Sequence, residues 1–143
     1  MATQNNVQTG LMGTYDTNNA YFMADGKTAY GYGATTFFKF TYDNLMVSIQ
    51  QDPQGTAVSS INGKTGGTFT LTLNQMSPFN EVLDELADER RSGGFPVDAC
   101  DGSRHYTGAH AYIAKKADGG AANEAGELTW TIHVLNVVEN SIL

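Results

Sequence analysis

The sequence predicts a mainly β (α+β) fold, an antiparallel β-sandwich or barrel with one amphipathic α-helix. Glycine (16 of 143 residues) and threonine are abundant, which favours strands and turns. Residues 68–73 and 127–138 alternate threonine with large apolar side chains, the period of a strand buried on one face. A single segment has helical spacing, and a chain of this length fits one domain.

The predicted helix spans about residues 78–91. Ser77 is a favourable N-cap, and Pro78 suits the first helical position, where no backbone N–H is needed. We expect the acidic side chains of the helix to point away from the sheet, and Gly93 and Gly94 to end it. The apolar stripe that should pack on the sheet consists of Phe79, Val82, Leu83 and Leu86.

The rest of the chain is punctuated by turn signals. Asp25-Gly26 predicts a tight hairpin, because both residues tolerate positive φ. Residues 35–41 are β-branched and aromatic, and residues 45–50 are expected to be the neighbouring strand. Residues 1–10 are polar and predicted to form a flexible N-terminal arm, with residues 11–143 as a single β domain.

Composition and motifs argue against enzymatic and nucleic-acid-binding roles. A net charge of −7 provides no net electrostatic attraction to nucleic-acid phosphates. The one cysteine, Cys100, forms no intrachain disulfide and is interpreted as a small core residue; Asp101, His105 and His110 lack the spacing of a metal site. No catalytic or nucleotide-binding motif is present, so we expect neither enzyme nor cofactor. No apolar run approaches the roughly 20 residues of a membrane span.

Residues 68–86, TFTLTLNQMSPFNEVLDEL, resemble the strand–Ser-Pro-x-Asn–helix signature of the tail-tube proteins of phages with long contractile tails. The surrounding features follow in a similar order: the Asp25-Gly26 hairpin, the Phe40-Thr-Tyr-Asp43 strand, the Asn62-Gly63 turn and a last strand bearing Trp130. The resemblance covers about residues 14–138.

This resemblance implies a structural virion protein, the subunit of stacked, hexameric rings that form the inner tail tube and conduct DNA during ejection. The implied partners are copies of the chain itself, the tail sheath protein, and the tape-measure protein and phage DNA, which occupy the lumen without specific binding. The implied location is the virion tail, after assembly in the host cytoplasm. The N-terminal arm and a long loop are expected to reach the neighbouring ring.

A tube requires a non-adhesive channel wall, and the polar faces of the two alternating strands are the candidates. A threonine face holds water and presents no cation to a phosphate. The alternatives are that the same faces meet the sheath or solvent, and that the negative charge serves only solubility. The candidate lumen-facing residues are Thr68, Thr70, Thr72, Thr129, Thr131 and His133, and the candidate acidic residues near strand ends are Asp43, Asp52, Glu124 and Glu127.

Two alternatives remain at this point. The first is the tube subunit of a contractile injection device that carries no DNA. The second is a carbohydrate-binding β-sandwich module, since the chain has seven Tyr, seven Phe and one Trp and since Tyr30-Gly-Tyr32 offers rings for stacking. Trp130 argues against the second, because it lies in phase with Leu128 and Ile132 and is expected to be core.

Overall fold

The computed structural model describes residues 14–142, and it confirms a mainly antiparallel β fold with one α-helix in that range. A short 3-10 turn, Thr17–Asn19, precedes the first strand. The helix α1 (Phe79–Glu89) lies between β6 and β7. The strands are β1 (Ala20–Ala24), β2 (Lys27–Thr28), β3 (Phe38–Tyr42), β4 (Val47–Gln51), β5 (Ala57–Ile61), β6 (Gly67–Asn74), β7 (Phe95–Asp101), β8 (Arg104–Ile113), β9 (Glu127–Val134) and β10 (Val138–Ser141).

Eight strands form one antiparallel sheet in the order β2-β1-β7-β8-β9-β6-β3, with β10 also paired to β8. The remaining strands, β4 and β5, pair with each other as a separate hairpin. The expectation that residues 45–50 lie beside residues 35–41 is therefore wrong. β3 pairs with β6 instead, because that register sets Phe38 and Phe40 beside the buried face of β6, which holds Phe69.

The sheet curls until its ends face each other across a shared core. The Phe22 ring of β1 lies 5.4 Å from the Phe69 ring of β6 and 5.8 Å from the Phe38 ring of β3, although three strands separate β1 from β6 in the sheet. Phe40 of β3 similarly reaches Tyr106 of β8, with ring centroids 4.8 Å apart. Large side chains thus interdigitate between two facing layers, as in a sandwich.

The predicted last strand, residues 127–138, is two strands. β9 ends at Val134, and β10 begins at Val138 after a turn in which the Val137 N–H donates to Thr65 O at 3.0 Å. Both strands continue one register along β8, and a bend at Leu135 and Asn136 interrupts them. The C-terminal part of β8 pairs with β9 and its N-terminal part with β10.

The helix ends at Glu89, two residues before the predicted boundary. Arg90 adopts a left-handed conformation (φ 49°), and Arg91 turns back to form a bidentate ion pair with Asp25, both N–O distances being 2.8 Å. The hydrogen bonds from Arg91 lower the pKa of Asp25. Asp25 and Gly26 both have positive φ, as the predicted hairpin turn requires. Arg91 thus ties the end of α1 to the β1–β2 turn.

Candidate assembly surfaces

The six candidate lumen residues lie together on one face of the β6–β9 pair. In the register of these strands, Thr68 is opposite His133, Thr70 opposite Thr131, and Thr72 opposite Thr129. The three β9 side chains are exposed and the three β6 side chains half-buried, while the intervening apolar residues of both strands point into the core. The result is a continuous polar strip, which we call the threonine face.

The four candidate acidic residues differ in whether they lie near the threonine face. Asp43 accepts a hydrogen bond from Thr68 Oγ1 at 2.7 Å, and Glu127 Oε1 accepts one from the Ala34 N–H at 2.9 Å. Glu124 lines a surface cleft together with Glu127. Asp52 belongs to the tip of the β4–β5 hairpin, where its Oδ1 accepts backbone N–H groups within the turn. Three of the four therefore border the strip or its edge, and Asp52 belongs to a different surface.

The expectation that the threonine face lacks a cation is wrong. Lys39 of β3 lies directly opposite Thr70, on the side away from Thr131, and is exposed. The pairing of β3 with β6 explains this, because alternation along β3 puts Phe38 and Phe40 inward and the intervening Lys39 outward. The face is polar and holds one ammonium group at its β3 side.

The apolar stripe of α1 packs into the core. Phe79, Leu83 and Leu86 are buried, with Leu83 fully inaccessible, and Val82 is half-buried against the same cluster. The start of the helix is fixed by Ser77, whose hydroxyl donates to Tyr30 O at 2.5 Å and accepts from the Phe79 N–H at 3.3 Å. Pro78 already has helical angles, which fits its role at the first turn.

Asn80 connects the helix to β9 through a buried hydrogen bond and to the end of β6 through a partly buried one. Its Oδ1 accepts from Trp130 Nε1–H at 3.0 Å, and its Nδ2 donates to Asn74 O at 3.1 Å. Asn80 is 8% exposed and Trp130 2% exposed. Because a buried indole N–H requires an acceptor, Asn80 and Trp130 are physically linked.

The acidic face of α1 points outward. Glu81, Glu85 and Asp88 are exposed, and Asp88 forms a 2.9 Å ion pair with Lys116 from the loop between β8 and β9. Such exposed pairs contribute little to stability, about 0–1 kcal/mol. The helix thus presents a mostly acidic outer surface.

The β4–β5 hairpin is the most exposed apolar feature of residues 14–142. All ten of its strand residues are exposed, including Ile61 (86%) and Ile49 (71%). Val47, Ile49 and Ile61 share one face, since Val47 is opposite Ile61 and Ile49 opposite Ser59. This exposed surface is not among the sequence-based predictions. The available signal was a segment, residues 45–61, that has apolar residues at strand spacing and Asp52 as its one charge.

A polar cluster joins β3 to β10 on the outside of the core. The Tyr42 hydroxyl donates to Glu139 Oε2 at 2.7 Å, and Arg104 pairs with Glu139 Oε1 at the same distance. Burial, followed by the bond to Glu139, raises the pKa of Tyr42 to about 12. Because β3 and β10 are not neighbours in the sheet, this contact joins the edge strand β3 to the strand that pairs with the N-terminal part of β8.

Residues with possible catalytic or metal-binding chemistry are dispersed. Within residues 14–142 no group of three His, Cys, Asp or Glu side chains is placed to hold a metal ion. Asp101 caps its own turn by accepting from the Ser103 and Arg104 N–H groups, His105 contacts Asp98, and Cys100 is buried. Among the described residues no helix is long and apolar enough to cross a membrane.

The tyrosines considered for sugar stacking are used differently. Tyr32 is stacked on Phe37 at 4.6 Å, and its hydroxyl accepts from the Phe22 N–H at 3.0 Å. Tyr30 is half-exposed, with its ring against Phe79. Trp130 is core, as its phase predicts. No pair of free, parallel aromatic rings is formed by these three residues.

Comparison with known proteins gives a likeness of fold. No protein-family model matches the chain, and no curated protein matches it in sequence. Among solved structures, the tube-terminating cap of the anti-feeding prophage matches with a TM-score of 0.59 at 10% identity, covering 92% of this chain and 93% of the other. A chain of the sheath–tube complex of PVC, an extracellular contractile injection system, matches with a TM-score of 0.58 at 9% identity, covering 95% and 97%. A chain of the PVC sheath/tube terminator matches with a TM-score of 0.58 at 9% identity, covering 91% and 99%. The chain has the fold of these components of contractile assemblies.

Proposed function

We propose that the chain is a structural, non-enzymatic subunit of the inner tube of a contractile tail, assembling into stacked hexameric rings around a channel that conducts DNA. The fold supports this, because solved chains of similar fold come from sheath–tube, terminator and cap assemblies. The observation that carries the proposal is the β4–β5 hairpin. Exposed apolar surface of this kind marks a protein–protein contact, and self-association covers it in every copy.

The threonine face is proposed as the channel wall. Its hydroxyls hold water, and Asp43 and Glu127 at its borders supply negative potential that repels DNA phosphates. Lys39 reduces that potential locally. At physiological salt the charges act over about 8 Å, so the balance of acidic and basic groups within the wall decides the effect.

The remaining partners follow from the same arrangement. The acidic outer face of α1 is proposed to meet the sheath, and the tape-measure protein and DNA occupy the lumen without specific contacts. Residues 1–10 lie outside the described residues, and we propose that they act as an arm between rings. Residues 11–143 are proposed to form one domain, located in the virion tail after assembly in the host cytoplasm.

A second candidate function is the tube of a contractile injection device that carries no DNA. The solved structures of similar fold favour it, since they belong to an extracellular contractile injection system and to the anti-feeding prophage. Isolation of native particles distinguishes the two candidates. Nuclease-protected DNA in the same particles supports the phage tail, and its absence from intact particles supports the device.

Sedimentation velocity of hairpin variants tests the self-assembly on which both candidates depend. Replacing Ile49 and Ile61 with serine removes the two isoleucines of the hairpin's apolar face, leaves Val47, and touches no core residue. We expect unchanged thermal unfolding of the monomer and loss of large assemblies. Val58→Ser, on the opposite face of the hairpin, is the matched control. Full assembly of the Ile49→Ser/Ile61→Ser variant would contradict the role of the hairpin.

A further inference from the structure

A cleft of about 350 Å³ lies between the end of α1 and β8. Its apolar lining includes Leu86, Phe95 and Ala111, which are buried, and Ile113, which is half-buried. The Tyr112 hydroxyl donates to Ser92 O at 3.2 Å, which connects β8 to the segment that follows the helix. The α1–β8 cleft is therefore an apolar groove, and the Tyr112–Ser92 hydrogen bond holds β8 against the segment that follows the helix.

Two arginines border this cleft, and only one of them forms ion pairs. Arg91 is neutralised by Asp25 and Glu89. Arg90 is exposed, and within residues 14–142 its side chain makes no ion pair or hydrogen bond. No carboxylate lines the cleft. A ligand that combines apolar side chains with a negative charge would match this surface.

Two other clefts of similar size, both lined by residues within 14–142, have a different character. One, of about 340 Å³, is lined by Asp118, Glu124 and Glu127 and offers no cation. The other, also about 340 Å³, combines Lys39 with Asp101, so that its charges compensate. Of these three clefts, the α1–β8 cleft alone joins an apolar lining to an unpaired cation.

The β4–β5 hairpin has the complementary properties. Its apolar face holds Val47, Ile49 and Ile61, and Asp52 at the tip is the one charge between residues 45 and 61. The turn fixes this carboxylate, because Asp52 Oδ1 accepts from the Thr56 N–H at 2.8 Å and the Gln54 N–H at 3.0 Å. No cation pairs with Asp52 in the described part of the chain.

We propose that the α1–β8 cleft receives the β4–β5 hairpin of a second copy, with Ile49 and its neighbours over the apolar lining and Asp52 beside Arg90. The hairpin does not occupy the cleft of its own chain, because all ten of its strand residues are exposed. Made between copies of successive rings, a head-to-tail contact of this kind repeats along the tube and builds a stack. The inference rests on the proposed function and names the surface that the hairpin binds.

Cross-linking between differently labelled copies tests the contact directly. In a Cys100→Ala background, one preparation receives Asp52→Cys and a second receives Arg90→Cys; both sites are exposed, and the native thiol is buried. The two are mixed, assembled and treated with a short bis-maleimide reagent. We expect a covalent dimer of one copy of each kind in the assembled fraction. Lys27→Cys, an exposed cation outside the cleft, replaces Arg90→Cys in the control and should give no dimer.

A double-mutant cycle on the two charged residues, followed by the critical concentration for assembly, provides a second measurement. Asp52→Asn keeps an oxygen for the turn hydrogen bonds and removes the charge, and Arg90→Gln removes the partner charge. Each should raise the critical concentration for assembly roughly threefold to tenfold, the range of a rim ion pair. The double variant should be no worse than either single variant, because both remove the same interaction.

The possible failures are distinguishable. Assemblies that form normally but give no cross-link, with additive effects of the two charge changes, would overturn the inference and leave the proposed function standing. A cross-link from Arg90→Cys to Thr3→Cys in place of Asp52→Cys would assign the cleft to the N-terminal segment and also overturn it. Failure of the unmodified chain to assemble would refute the proposed function and the inference together.

Discussion

Asn80→Ala should destabilise the protein strongly, because one side chain bonds three groups, of which the Trp130 indole N–H is buried. Asn80 accepts from Trp130 Nε1–H and donates to the carbonyls of Asn74 and Gln75. The substitution deletes the two partly exposed bonds to carbonyls, which together contribute about 1 kcal/mol, and leaves the indole N–H buried without an acceptor, which costs about 1–3 kcal/mol. We expect a total loss of about 2–4 kcal/mol in the free energy of unfolding.

The expected loss corresponds to a measurable shift in melting temperature. For 143 residues the entropy of unfolding is about 0.3 kcal/mol/K, so a loss of 3 kcal/mol lowers Tm by about 10 °C. Urea unfolding followed by far-UV circular dichroism, below the concentration of assembly, gives the free energy. Glu85→Ala, on the exposed face of the same helix, is the control and should change it by less than about 0.5 kcal/mol.

A double-mutant cycle isolates the bond between Asn80 and Trp130. Trp130→Phe removes the donor, so in that background Asn80→Ala should cost about 1–2 kcal/mol less than in the original chain. Equal costs in the two backgrounds, or a loss below about 0.5 kcal/mol for Asn80→Ala alone, would refute the reasoning. The Ser-Pro-x-Asn segment and the tryptophan strand would then be independent features.

Four further predictions follow from the same contacts. Leu83→Ala should lower the free energy of unfolding by about 2–5 kcal/mol, and Val82→Ala by less, because Leu83 is fully buried and Val82 only half-buried; comparable losses in urea unfolding would contradict this. The pKa of Tyr42 is raised from 10 to about 12, so the stability that its protonated hydroxyl contributes is complete below pH 10 and is lost towards pH 12. Tyr42→Phe should therefore flatten the decline of Tm over this pH range, and an unchanged slope would contradict the role of the Tyr42 hydroxyl. Deletion of residues 2–8 should leave the Tm of the monomer unchanged and stop tube growth seen by light scattering, whereas normal growth would exclude the arm. Thr129→Lys should slow DNA ejection at low salt while rings still form, and unaltered ejection would place Thr129 outside the lumen.

Local patterns were sufficient for the elements with a buried face. Strict alternation predicted β6 and β9 and also the six residues of the threonine face, because side chains of paired strands at matching phase share one face. Ser77 and Pro78 fixed the start of α1, and helical spacing identified its stripe. In these places local preference and tertiary packing agree.

Features that depend on distant pairing could not be predicted in this way. The segment that forms β4 resembles a core strand, yet it pairs only with β5 and projects outward, since β3 buries its aromatic residues against β6. The pairing of β3 with β6 also places Lys39 on the threonine face. The break between β9 and β10, by contrast, has a local signal that the prediction missed, because the apolar residues move from even positions up to Val134 to odd positions at Leu135 and Val137.

Cryo-electron microscopy of the concentrated, purified chain tests the central proposal most directly. The proposal predicts tubes of stacked rings with six copies each, in which Thr70 and Thr131 line the channel and the helix faces outward. A chain that stays monomeric at every concentration, or that forms rings with the threonine face on the outer surface, would contradict it.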